Sequence, residues 1–413
     1  MWDDPAQQPT PNILAPATPR QIPASIPPAY RAYLESIDAF TLPPPHIQER
    51  LLSIYLTHLH PYLPLLDVPS FLTQYAAGTT SLPLLHSIFL FTSKHPLAAA
   101  LLPSTTTPRA HASHTYTKTT ALLHAGIETN RLTLTRIHAL LALHAEGPTG
   151  LESASLHLCT AVHSAFSLGL QLASSTAEPA EQALWHTLRA LDAQQAAMCG
   201  RPLCVRDEDT SAPRPANIDR VFGGLLDCTA LLVDVIALYR PGRSGGWQGE
   251  WRGTVPEDEV VRMVYYAVCI LAHRNGRGDG GAATRRGEAA RGVLGMCVRG
   301  KRWGPWPWVP YAVALALATF YVEGCEVEFE GCCEVLEEMA GVWWFAGAMA
   351  KLGRGARERV RDKEAAGRLM GLAGEMVEVE GAMDDDAWFL QLFPDLATGE
   401  GLGGWESGWD AVL

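Results

Sequence analysis

Residues 151–172 read LESASLHLCTAVHSAFSLGLQL, and their spacing decides the architecture. Leu151, Ala154, Leu158, Ala161, Ala165, Leu168 and Leu172 recur by threes and fours, which sets them on one stripe of a helix. The next helix, about 180–199, starts after Pro179 and stops at Gly200-Arg201-Pro202. Glycine closes a helix in the left-handed conformation, and proline forbids its continuation. Outward from this pair, the same periodicity predicts helices near 47–60, 82–93, 109–126 and 133–145. On the other side it predicts helices near 218–239, 257–273, 284–299, 309–322 and 330–353. Ser70 suits the N-cap of a short helix at Phe71–Tyr75. No convincing period-two alternation occurs, and the apolar content is mostly Leu and Ala, which favours helix over strand. The expectation is an all-α protein: a multi-helical bundle or orthogonal array over residues 46–360. Eight of the 29 prolines fall in residues 1–28, so residues 1–45 read as a disordered leader. Residues 361–413 read as a helix followed by an acidic, aromatic tail.

Charge placement narrows the function. Residues 323–413 carry 7 basic against 20 acidic side chains, which accounts for the whole net charge of −12. Nucleic-acid affinity comes chiefly from Lys and Arg neutralising phosphates, and no segment has a strong basic excess. Nine cysteines without a C-x-x-C pair read as small buried hydrophobes in a reducing compartment. The first 30 residues lack the basic start and apolar run of a signal peptide. The apolar stretch Trp303–Val322 is broken by Pro305, Pro307 and Pro310, so it is too short to span a membrane.

Catalytic patterns match by letter and fail by context. Gly242–Gly246 fits G-x-S-x-G, yet a nucleophile elbow needs a preceding strand, and the sequence there is helical up to Pro241. Gly276–Gly281 fits G-x-G-x-x-G, yet MVYYAVCILAHR before it also reads as a helix. Asp384-Asp385-Asp386 has no matching ligand set for a metal–diphosphate site, and Asp207-Glu208-Asp209 reads as a solvated turn. The 14 histidines contain no H-E-x-x-H, so catalytic, metal and cofactor residues are expected to be absent from this chain. In the tail, Met383–Leu396 reads MDDDAWFLQLFPDL. Trp388, Phe389, Leu392 and Phe393 would share one face of a short helix, with aspartates keeping it solvated and its aromatics open to a partner groove. Docking of that helix on the core is the alternative.

Three blocks carry a family resemblance. The first runs Leu59-His60-Pro61-Tyr62-Leu63-Pro64-Leu65-Leu66 and on to Pro69-Ser70-Phe71-Leu72. The second joins Ala161–Leu172 to Trp185, Leu188, Leu191 and Asp192, and ends in Gly200-Arg201-Pro202 leading to Asp207 and Asp209. The third, Leu336–Gly353, holds Trp343 and Trp344. Together they resemble the fungal-specific transcription factor domain, the middle homology region of the zinc-cluster regulators. On physical grounds Arg201 is expected to pair with Asp207 or Asp209, and the three tryptophans to bury large areas. The family's six-cysteine zinc cluster is missing, since no cysteine precedes Cys159. Zinc and direct DNA reading therefore stay with the family, and the chain is either a shortened product or acts through a partner.

The resemblance implies regulation of RNA polymerase II transcription in the nucleus. The expected partners are transcription machinery, a co-regulator or a small-molecule effector, with DNA reached only indirectly and no membrane. An all-helical enzyme or binding protein for a hydrophobic substrate is the alternative. It predicts convergent acidic or histidine side chains near Asp207 or Asp384.

Overall fold

The computed structural model describes residues 26–174, 178–215, 218–238, 255–274, 280–299 and 304–372. Its regular structure is helical, with no strand among the described residues. The order is α1 Pro28–Ser36, α2 Pro45–Ile54, α3 Val68–Ala76, α4 Leu82–Ser93, α5 Pro108–His124, α6 Arg131–Leu141 and α7 Gly150–Leu168. Then follow α8 Pro179–Cys199, α9 Arg220–Leu238, α10 Glu259–Ala272, α11 Gly280–Arg299, α12 Trp308–Glu323, α13 Glu326–Met339 and α14 Trp344–Leu372. The single domain expected over 46–360 divides into two compact units. The first comprises the described parts of 1–193, 203–229 and 302–307; the second comprises those of 194–202, 230–301 and 308–413.

In the first unit α4 is the central element. Its sequence LPLLHSIFLFTS is apolar nearly all round, and Pro83 through Ser93 are all buried. Its hydroxyls are satisfied on their own helix: Ser87 donates to the Pro83 carbonyl, Thr92 to Ile88 and Ser93 to Leu90, at 2.7–2.8 Å. Helices α2, α5 and α6 pack on it, and α7 packs on α6. Asn130 caps α6 by accepting from the Thr133 amide at 2.9 Å. Gly169, at φ 74°, ends α7 as the left-handed residue the turn requires.

In the second unit α12 takes the central place, with Trp308 through Phe320 buried. Helices α10, α11, α13 and α14 pack around it. Gly353 on α14 sits so close that a Cβ there would lie 2.9 Å from Leu317 Cδ2, so glycine permits that approach. Tyr311 Oη donates to the Ala197 carbonyl at 2.9 Å, and Gly200 closes α8 at φ 63° as expected.

Several boundaries depart from the sequence reading. The expected leader ends before residue 45: α1 lies within it, and Ile26, Leu34 and Ala39 are buried against Ala121 and Leu122 of α5. The expected helix at 47–60 widens into a π-helical turn over Tyr55–Leu59. The short helix begins at Val68 with Asp67 as its N-cap, because Pro69 fits the first turn, so Ser70 lies inside it. The helix expected at 330–353 is two helices, broken at Ala340–Trp343. Helix α9 is long and apolar enough to cross a membrane by length and composition. It carries Phe222, Leu225, Cys228, Leu232 and Val235 buried, and its Asp227 pairs with Arg214 at 2.7 Å.

Candidate regulatory site

The motif residues of the first unit fix loops. Trp185 is fully buried on α8 and its indole N–H donates to Thr210 Oγ1 at 3.0 Å. Thr210 in turn donates to the Gln171 carbonyl at 3.1 Å, so the tryptophan ties the segment after α7 to the segment around Thr210. Phe166 meets the Trp185 ring edge-on, centroids 5.5 Å apart. Seven residues on, the buried Asp192 carboxylate accepts the amide N–H of Val205 at 2.8 Å and that of Cys204 at 3.2 Å. Burial pushes the Asp192 pKa up, and those two N–H bonds oppose the rise. Asp207 pairs with Arg189, where the sequence reading offered Arg201. The reason is local: a short 3-10 turn over Asp207–Asp209 aims the carboxylate at the α8 side chain. Asp209 is exposed on that turn.

The first block folds back on itself. His60 Nε2 faces both the amide N–H of Leu66 at 3.3 Å and its carbonyl at 3.1 Å, closing the turn that contains Pro61 and Pro64. Burial lowers the His60 pKa, which favours the neutral ring this bond uses. Pro69 sits in the first turn of α3, and Phe71 is buried and stacked on Tyr75. In the second unit Trp343 is buried, whereas Trp344 is only partly so, because the break before α14 turns it outward. Trp388, Phe389, Leu392 and Phe393, the Asp384–Asp386 run and Gly242–Gly246 lie outside the described residues.

Beside these motifs the first unit holds a cavity of about 1120 Å³. Its walls come from α3 (Phe71, Gln74), the Gly78–Ser81 turn, α4 (Leu82, Leu84), α6 (Leu132, Thr133, Arg136) and the start of α8 (Glu181). Of the motif blocks, Leu66, Ser70 and Phe71 line it. Arg136, which sequence reasoning missed, presents its guanidinium there, and its buried Nε lacks a hydrogen-bond partner. Burial lowers the Arg136 pKa, while Asp67, Glu181 and Tyr55 raise it. The Tyr55 hydroxyl is likewise buried without a partner, and burial raises its pKa far above the usual phenol range. A π-helical turn at Tyr55 leaves no trace in the periodicity, so no local signal marked this pair.

A histidine cluster lies on α6, α7 and the loop between them. His138 and His157 approach Nδ1 to Nδ1 at 3.0 Å, so one ring donates while the other accepts. His157 Nε2 meets the Tyr116 hydroxyl at 2.8 Å, and Tyr116 stacks on His144 with centroids 4.8 Å apart. Burial first, then neighbouring His138, pushes the His157 pKa down to about 4; His144 falls to about 2, helped by Lys94. Lys94 itself is buried and pushed down to about 7, although Glu146 opposes the fall. The enzyme alternative expects convergent acids or histidines near Asp207 or Asp384: Asp207 is exposed and outside the cavity lining, and Asp384 lies outside the described residues.

Six of the nine cysteines are buried, and among the described residues no group of three His, Cys, Asp or Glu side chains is placed to hold a metal.

Comparison with known proteins places these features. Residues 52–223 match the model of the "Fungal specific transcription factor domain". The chain is 29% identical over 237 residues to cutinase transcription factor 1 beta of Fusarium vanettenii, covering 54% of this chain and 27% of that protein. It is 29% identical over 193 residues to the acetamidase regulatory protein of Aspergillus fumigatus, covering 42% and 23%. Cutinase transcription factor 1 alpha of Fusarium vanettenii is 26% identical over 180 residues, covering 41% and 20%. The chain thus spans about a quarter of the length of these relatives. No solved structure matches. The match takes in the first two sequence blocks, with the Trp185 and Asp192 ties and the cavity walls between them. Over residues 52–223, this chain is similar to the fungal-specific transcription factor domain.

Proposed function

We propose that the chain regulates transcription in the fungal nucleus, as a regulatory module acting through protein partners and not as an enzyme. The observation that carries this reading is the match over residues 52–223, supported by relatives that are themselves named as transcription regulators. DNA is reached through a partner or a further module, and the acidic aromatic segment Met383–Leu396 contacts the transcription machinery. Fusing the full chain to a foreign DNA-binding domain in a reporter strain tests this. Reporter output should change, and Trp388→Ala with Phe393→Ala should abolish the tail's share. An inert fusion, expressed and nuclear, would count against it.

The cavity favours a second element of the same reading, effector sensing. A buried guanidinium with an unsatisfied N–H costs stability unless something accepts from it. Arg136, in a cavity whose walls mix Phe71, Leu84 and Leu132 with Gln74, Thr133 and Glu181, suits a small molecule with a hydrogen-bond acceptor and an apolar body. An effector that binds one conformation better shifts the population toward it. Arg136→Met should leave the fold intact and remove any metabolite dependence of the reporter; an unaltered response would argue against this use of the cavity.

A further inference from the structure

Cys159, on α7, and Cys204, in the loop after α8, bring their sulfur atoms to 3.7 Å although 45 residues separate them in the chain. Both are exposed, while six of the other seven cysteines are buried and Cys325 is intermediate. Both are also held on firm supports. Cys159 sits mid-helix on α7, and the backbone of Cys204 and Val205 is gripped by the Asp192 carboxylate, with Val205 itself buried. Two accessible thiols on such supports need only small side-chain rotations to reach bonding distance.

We propose that Cys159 and Cys204 are a reversible oxidation site, forming a disulfide that ties α7 to the loop following α8 when low-molecular-weight disulfide accumulates. The reaction has two exchange steps. Cys159 Sγ, as thiolate, attacks one sulfur of glutathione disulfide, forming a mixed disulfide and releasing one glutathione thiolate. Cys204 Sγ then attacks Cys159 Sγ, its proton passing to the adjacent Asp192 carboxylate and on to solvent, and the second glutathione thiolate leaves. Two protein thiols are oxidised, one glutathione disulfide is reduced to two glutathione molecules, and the two protons lost by the protein end on them. The Cys204 thiol is pushed up to about 12 by desolvation and by the Asp192 charge, which opposes its ionisation, so its attack waits for the mixed disulfide at 3.7 Å and for a proton acceptor beside it.

The test uses the full chain incubated with glutathione disulfide, then alkylated and mapped by tryptic mass spectrometry without reduction. The expected product is a cross-link between the peptides holding Cys159 and Cys204, reversed by dithiothreitol. Fragmentation is needed because Cys199 shares a tryptic peptide with Cys204. Closing a 45-residue loop should raise the unfolding temperature by on the order of 10 °C. Cys159→Ser and Cys204→Ser should each abolish the cross-link and the shift. A glutathione adduct on Cys159 that persists without cross-linking, or a cross-link joining other cysteines, would overturn the proposal. The wild-type map decides the matter even if a variant folds poorly.

Discussion

Helix α4 in the first unit and α12 in the second are both buried along nearly their whole length, yet they are built differently. Buried α4 carries His86, Ser87, Thr92 and Ser93, with Lys94 and His95 just beyond its end; buried α12 carries Thr319. Among the described residues, all the buried polar side chains except His273 and Thr319 belong to the first unit. A buried polar group is stable only when its partners are placed for it, so the first unit has traded apolar packing for positional specificity. The cavity, the Asp192 clamp, the histidine cluster and the cysteine pair all lie there. The second unit is packed with apolar residues from alanine to Trp308 and Trp343, and its side chains specify shape.

The largest effect should come from the anchor that both packs and bonds. Trp185→Ala should cost about 3–5 kcal/mol in chemical denaturation. Trp344→Ala, half-exposed, should cost far less, and equal costs would erase the distinction between the two motif tryptophans.

Asp192→Ala should follow, at about 2–3 kcal/mol, because it leaves the buried Val205 amide and the Cys204 amide without an acceptor. Hydrogen exchange at those two amides is the sharper readout: protection should drop there first.

The pH dependence comes next. The folded-state pKa of His157 is depressed to about 4, so the folded state holds it neutral while the unfolded state protonates near 6.5. Its contribution is therefore fully present above pH ~6.5 and is lost as pH falls toward ~4, by on the order of 2 kcal/mol. Urea unfolding across that window should show the loss, and His157→Gln should reduce it, with His144 supplying part of the remainder.

The smallest pair sets the two interiors side by side. Ala314→Leu in the core of α12 should cost about 1–3 kcal/mol through overpacking. Thr133→Leu, on the cavity wall, has room for the larger side chain and should stay within about 0.5 kcal/mol. Equal penalties in a thermal melt would mean the cavity is no looser than the second core.

Much of the helical architecture was legible before any coordinates, because amphipathic periodicity and Gly or Pro stops are local properties. The expected helix at 82–93 coincides with α4, and the stop at Gly200 has the left-handed conformation a helix end demands. The misses share a physical origin. Pro27 and Pro28 made the first helix look like leader, since its stability comes from Leu34 packing on α5 and not from its own propensity. The continuous apolar pattern across Gly341 hid the break before α14. Asp207 chose Arg189 over Arg201 because partner choice depends on where a turn aims the side chain.

The sequence by itself determined the helical class, the placement of most helices and the family resemblance, since each is written in short-range spacing and residue type. Tertiary structure alone decided the division into two units, the Asp192 clamp on Val205, the buried, unpartnered Nε of Arg136 and the meeting of Cys159 with Cys204. Each of those depends on groups far apart in the chain arriving at one place, and distance along a sequence carries no record of that.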